Sequence, residues 1–168
     1  MIHINQCCCQ ERGMGTPTTS PFDQEIALGF YDGPTHGFLH CRDCQQEFYF
    51  AMIDSRAVSS EEDTRIFELA SIPIGSIARF ETAMSPFQQT IHPVWVPLWS
   101  FPTDQDRDWM SQFVDGIVSQ KGPVEWVVAS STWLSDEILA ARPIENLDRQ
   151  EPVDWFTSLG LIPASIED

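Results

Sequence analysis

The chain has 168 residues, of which 42% are hydrophobic; this is enough apolar material for a packed core, so an intrinsically disordered chain is not expected. Its 25 Asp and Glu outnumber its 9 Lys and Arg, and the resulting formal charge of −16 at pH 7 disfavours both nucleic acid and anionic membranes as direct partners. No run of about 18 apolar residues is present, so no membrane-spanning helix is predicted.

The first 24 residues predict a flexible lead-in, because they are rich in turn-forming residues and lack hydrophobic periodicity. A single globular domain is predicted over residues 25–168. Its first half is rich in short apolar runs that are separated by turn signals. Residues 59–70 fit either a helix or a strand, and the strand is favoured. The other strands of this half are predicted at Ile26–Tyr31, Phe38–Cys41 and Glu47–Ile53.

Helices are predicted mainly in the second half. Apolar residues recur at spacings of three and four over Ser76–Met84 and predict a short helix. A long amphipathic helix is predicted at about 103–121, where Thr103 is a good N-cap. Its apolar stripe comprises Trp109, Met110, Phe113, Val114, Ile117 and Val118. A buried strand is then predicted at Val124–Ala129, and shorter helices at Asp136–Ala141 and Pro152–Leu159.

These elements predict an α+β fold. An antiparallel or mixed sheet, formed largely by the strand-rich first half, is covered by the helix at about 103–121 and by shorter C-terminal helices. Trp109 in that helix and Trp126 in the following strand are predicted to belong to the core.

Cysteine usage favours a reduced compartment. The chain has five cysteines, an odd number, and three of them are adjacent at Cys7–Cys9, which makes a poor disulfide framework. The N-terminal residues also lack the basic and apolar regions of a secretory signal. A cytoplasmic location is therefore expected.

Cys41 and Cys44 form a CxxC motif between two predicted strands. The motif resembles the metal-binding knuckle of rubredoxin-like and zinc-ribbon domains, in which a turn aims both thiolates at one ion. A structural zinc needs four ligands, and two of His36, His40 and Cys7–Cys9 would complete the set. The alternative is a pair of reduced thiols with no cofactor. A thioredoxin-like site is disfavoured, because strand-like residues follow the second cysteine instead of a helix.

No motif singles out a catalytic residue. The chain has no P-loop, no dinucleotide-binding glycine pattern, no HExxH and no GxSxG. Carboxylates that are distant in the sequence can meet in space, so a hydrolase with a dispersed carboxylate and histidine site stays open as an alternative.

Two tryptophans and three aspartates are the candidate interface residues. Trp95 and Trp99 lie in a stretch that three prolines interrupt, and if exposed they would form an apolar anchor. The alternative is that this stretch packs over a sheet edge. Asp104, Asp106 and Asp108, at the start of the long helix, are the predicted rim charges.

The preferred interpretation is an acidic cytoplasmic protein that binds a basic protein partner and blocks or neutralises it. In its small size, strong negative charge and lack of catalytic motifs, the chain resembles immunity proteins that inhibit bacterial toxins. This is a likeness of class and not of sequence. The alternatives are a small domain with a structural zinc at Cys41 and Cys44, and the hydrolase. The sequence gives no indication of the oligomeric state.

Overall fold

In the part of the chain that the structure describes, six antiparallel strands form one sheet, and the strands lie in it in the order of the chain. The structure is a computed structural model that describes residues 20–31, 33–57, 63–87, 101–130, 134–135 and 140–143. The strands are β1 (Phe22–Phe30), β2 (Pro34–Cys41), β3 (Glu47–Ala57), β4 (Asp63–Ile72), β5 (Val124–Ser130) and β6 (Ala140–Pro143). Among the described residues, two α-helices, α1 (Ser76–Met84) and α2 (Asp104–Val118), lie between β4 and β5 in the chain. The predicted α+β class and antiparallel sheet are confirmed.

Both faces of the sheet are buried, because apolar residues occupy successive positions of the strands and successive side chains point to opposite faces. On β3, Phe48 and Phe50 belong to one core cluster, whereas Tyr49 between them packs against the other. The strand predicted within residues 59–70 is confirmed as β4, and Trp126 on β5 is a core residue as predicted, with 3% of its surface exposed.

The helices cover one of these faces. Met110, Val114 and Ile117 of α2 are buried against it together with Ile77 and Phe80 of α1. These residues share one cluster with strand residues of β1, β2 and β4. Helix α2 lies within the range predicted for the long helix, and α1 has the bounds that the sequence predicts.

Helix α1 is capped by a side chain from the sheet. Glu47, at the start of β3, is 7% exposed, and its two carboxylate oxygens accept hydrogen bonds from the backbone N–H groups of Gly75 (3.0 Å) and Ile77 (2.9 Å). The first N–H groups of a helix have no partner within the helix, and a carboxylate also complements the positive end of its dipole. Glu47 therefore fixes the N-terminus of α1 on the sheet.

Residues 134–135 follow β5 in the chain and lie against the opposite face of the sheet. Leu134 is fully buried in the core cluster that contains Phe48 and Phe50. The carbonyl of Leu134 accepts a hydrogen bond from the Ser20 hydroxyl (2.8 Å), and the backbone N–H of Ser135 donates to the Glu25 carboxylate (2.7 Å). This cluster also contains Phe22, Leu39, Cys41, Phe48, Phe50, Phe67, Leu69, Val127 and Ala129.

Two boundaries differ from the sequence-based expectation. Residues 140–141 were predicted to end a helix but belong to β6, because pairing with Val127 and Val128 of β5 satisfies their backbone groups in a strand. Strand β1 begins at Phe22, three residues before the predicted start of the domain. Residues 1–19, 136–139 and the predicted helix at 152–159 lie outside the described residues. In the part of the chain that the structure describes, no helix is long and apolar enough to span a membrane.

Candidate interaction surface

Trp109 is on the outside of the helical layer, with 47% of its surface exposed. The prediction that it belongs to the core is wrong, and helix geometry gives the reason. Successive residues of an α-helix are rotated by about 100°, so the residue preceding the buried Met110 is turned to the flank of the helix. The apolar stripe of α2 is therefore wider than the surface that the sheet and α1 cover.

An aromatic and cationic row crosses from α2 to α1 on this side. The Trp109 ring lies 6.1 Å from the half-buried Phe113 ring, centroid to centroid, and the Arg79 guanidinium of α1 lies 5.9 Å from the centre of the Phe113 ring. An open groove of about 410 Å³ runs between the helices and is lined by Ala78, Arg79, Thr82, Ala83 and Phe113. Small side chains on α1 leave this groove unfilled, and Phe113 gives it an apolar wall.

The outer side of α2 is acidic. The helix contains four aspartates and one arginine. Asp104, Asp108 and Asp115 are exposed, and their spacing places them on one side of the helix. Asp104 is paired with Arg107. Asp106 has a local role, because the Thr103 hydroxyl donates to its carboxylate (2.6 Å) and accepts from its backbone N–H (3.1 Å).

Tyr49 shows that this negative charge reaches the sheet below α2. Burial raises the pKa of its phenol above the ordinary value, and the carboxylates of Asp115 on α2 and Glu68 on β4 raise it further. Both carboxylates disfavour the phenolate because like charges repel. Asp115 of α2 and Glu68 of β4 therefore act on the same phenol.

The structure does not bring His36 or His40 to the two thiols, and the other predicted zinc ligands, Cys7–Cys9, lie outside the described residues. Cys41 is buried in the core cluster on one face of the sheet, whereas His36 and His40 alternate with it along β2 and so point to the opposite face. The two histidines are also four residues apart in a strand, a separation of about 13 Å. Cys44 packs against the same cluster as Cys41. No group of three or more metal-ligating side chains occurs among the described residues.

Each histidine has a local environment of its own. The His40 imidazole is hydrogen-bonded through Nδ1 to Asp23 (2.7 Å). His36 is half-buried, its Nδ1 lies 3.3 Å from the Thr35 hydroxyl, and its ring lies where a side chain on Gly29 would be. Burial lowers the pKa of His36 below the ordinary value. Neither arrangement places a histidine beside the two thiols.

Of the five predicted interface residues, the structure places three. Asp104 and Asp108 lie on the exposed side of α2, and Asp106 lies in its first turn. Trp95 and Trp99 lie outside the described residues. The sequence reasoning missed Trp109 as an exposed aromatic. The available signal was its position directly after Asp108, at the polar margin of the stripe.

The chain matches no protein-family model, and comparisons with curated proteins and with solved structures also found no match.

Proposed function

We propose that this chain is an acidic cytoplasmic protein that binds a basic protein partner and blocks or neutralises it, in the manner of an immunity protein. The observation that carries the proposal is Trp109, a large aromatic that is 47% exposed on α2, the helix that also carries the exposed aspartates. Tryptophan is among the residue types that dominate binding energy at protein interfaces. The exposed carboxylates of Asp104, Asp108 and Asp115, on another side of the same helix, would select a partner of positive charge.

The exposed part of Trp109 offers a useful amount of binding energy. A tryptophan buries up to about 250 Å² when it is fully enclosed, so covering the exposed half removes about 100 Å² of largely apolar surface from water. At about 25 cal/mol per Å², this corresponds to about 2.5 kcal/mol. A contribution of that size distinguishes an anchor from an incidental surface contact.

The groove beside Trp109 fits the rest of such a contact. Its wall of Phe113 and the small side chains of α1 would receive an aliphatic or aromatic side chain of the partner. The Arg79 guanidinium already lies over Phe113, and its remaining N–H groups would donate to carbonyl groups of the partner's main chain. Asp104, Asp108 and Asp115 would form the charged rim, which mainly raises the association rate.

Affinity capture from the native cell tests this function. The bait is the full-length wild-type protein, compared with Trp109→Ala and with the double variant Asp108→Asn/Asp115→Asn. Tyr31→Ala is the matched aromatic control, because Tyr31 is 75% exposed but follows β1 and is not part of either helix. Asp43→Asn, in the exposed turn between β2 and β3, is the charge control.

The proposal predicts one basic protein that the wild-type bait and both control baits enrich at low salt. The Trp109→Ala bait should lose it, and the double aspartate variant should retain less of it. If no basic protein is enriched by the wild type, or if the same protein is retained equally by Trp109→Ala, the assignment of this surface is wrong.

A further inference from the structure

The Cys41–Cys44 turn has a geometry that the binding surface does not use. The backbone N–H of Gln45 donates to the carbonyl of Cys41 (2.9 Å), and the N–H of Cys41 donates to the carbonyl of Gln46 (2.9 Å). The first bond closes a single helical-type turn over the CxxC motif. Gln45 completes the turn in the left-handed conformation, with φ at 60°.

This turn brings the two cysteines close to disulfide range. Residues three apart on one helical turn have Cβ atoms about 5–6 Å apart, and a disulfide requires about 3.5–4.5 Å between Cβ atoms and about 4.4–6.8 Å between Cα atoms. Both side chains pack against the same aromatic cluster, so they lie on the same side of the turn. A shift of about 1–2 Å at one Cβ would allow the bond.

The two thiols differ in access to solvent. Cys41 has no exposed surface, whereas Cys44 is partly exposed. In thiol–disulfide exchange an accessible thiolate reacts first with an external disulfide, and a neighbouring thiolate then displaces the leaving group. The histidines lie on the other face of the sheet, so the described residues near the motif supply two thiols and not the four donors of a zinc site.

We propose that Cys41 and Cys44 are a modification site that forms a reversible intramolecular disulfide by exchange with a low-molecular-weight disulfide such as oxidised glutathione. The Cys44 thiolate attacks one sulfur of oxidised glutathione, forming a mixed disulfide and releasing one glutathione thiolate. The Cys41 thiolate then attacks Sγ of Cys44 and releases the second glutathione. The protein dithiol loses two electrons and two protons, and one oxidised glutathione becomes two reduced glutathiones. This site is independent of the binding surface on α2.

Peptide mapping of the full-length protein tests the pairing. The protein is equilibrated in glutathione buffers of increasing oxidised fraction, blocked with N-ethylmaleimide at low pH, denatured and digested with trypsin. Arg42 lies between the two cysteines, so trypsin places Cys41 in peptide 13–42 and Cys44 in peptide 43–56, each with a single cysteine. The other three cysteines fall in peptide 1–12. The proposal predicts a linked 13–42/43–56 species that grows with the oxidised fraction and disappears on reduction.

Single variants test the order of attack. Cys41→Ser should accumulate one glutathione on Cys44, and Cys44→Ser should react at the buried Cys41 at least about ten-fold more slowly. The linked peptides are detected in the wild-type protein, so the pairing is tested even if Cys41→Ser fails to fold. The proposal is overturned if peptides 13–42 and 43–56 remain unlinked, if either is linked instead to peptide 1–12, or if added Zn²⁺ is held by both thiols and prevents exchange until a chelator removes it.

Discussion

Replacement of Glu47 should loosen the helix that forms one side of the candidate groove. The carboxylate of Glu47 accepts hydrogen bonds from the N-cap residue Gly75 and from Ile77 in the first turn of α1, and Gly75 has no side chain that could cap the helix itself. In Glu47→Ala, the N–H of Ile77 is left buried without its acceptor, and the N–H of Gly75 is left partly buried. In Glu47→Gln, one oxygen remains and the amide group faces a backbone donor.

Loss of these two hydrogen bonds sets the expected decrease in the free energy of unfolding. An unsatisfied buried N–H costs about 1–3 kcal/mol, and a partly buried one that water can reach costs toward the lower end. Glu47→Ala should therefore lower the free energy of unfolding by about 3 kcal/mol, and Glu47→Gln by about 1–2 kcal/mol. With a urea m-value of about 2 kcal/mol/M, the Glu47→Ala midpoint moves down by about 1.5 M.

Urea unfolding followed by tryptophan fluorescence measures this shift. Glu81→Ala is the matched control, since Glu81 is an exposed glutamate of the same helix whose bond to Gln24 lies at the surface; its effect should stay below about 0.5 kcal/mol. Glu47 does not stabilise α1 in this way if the urea midpoint of Glu47→Ala lies within 0.5 M of the wild-type midpoint, or if Glu81→Ala lowers the midpoint as much as Glu47→Ala does.

Further predictions concern two glycines and one histidine. Gly37→Ala should be strongly destabilising, by about 3 kcal/mol or more, because a Cβ there would lie 1.9 Å from the carbonyl oxygen of Ile26 on the paired strand; thermal unfolding checks it. Gly116→Ala on exposed α2, where a Cβ meets nothing within 4 Å, should instead raise the free energy of unfolding by about 0.5–1 kcal/mol in the same assay. Burial lowers the pKa of His36 from 6.5, so the unfolded chain binds the proton first, and acid destabilises the fold as the pH falls through the window below about 6.5. In chemical denaturation at several pH values, His36→Gln should lose less stability than the wild type across this window, and parallel curves would contradict the assignment.

Patterns that depend on local periodicity predicted the sheet well. The apolar runs at Phe38–Cys41 and Glu47–Ile53 both lie in strands. Each strand that the structure describes pairs with its neighbour in the chain, so the pairing partners are local. Helix α1 followed from the spacing of its apolar residues, which are the residues that the sheet buries. In these segments the local preference and the tertiary contacts agree.

The errors arose where a distant partner decides the outcome. Trp109 fits the apolar stripe of α2, but the extent of the sheet and of α1 decides which part of that stripe is covered, and the sequence of α2 does not contain this information. The sequence pattern predicts that residues 140–141 end a helix, but they pair with β5 as a strand, and the sequence around them does not reveal that partner. The zinc site stays a prediction, because Cys7–Cys9 lie outside the described residues; His36 and His40 are close to Cys41 along the chain, but strand alternation turns them to the opposite face.

The central claim is that Trp109 and the acidic side of α2 are the contact surface for a basic protein. Calorimetric titration of the captured partner into the wild type, Trp109→Ala and Tyr31→Ala tests it most directly. The account predicts that Trp109→Ala raises Kd at least about 30-fold, corresponding to about 2 kcal/mol, while Tyr31→Ala leaves it unchanged and added salt weakens the wild-type complex. Equal Kd values for the wild type and Trp109→Ala would contradict the account.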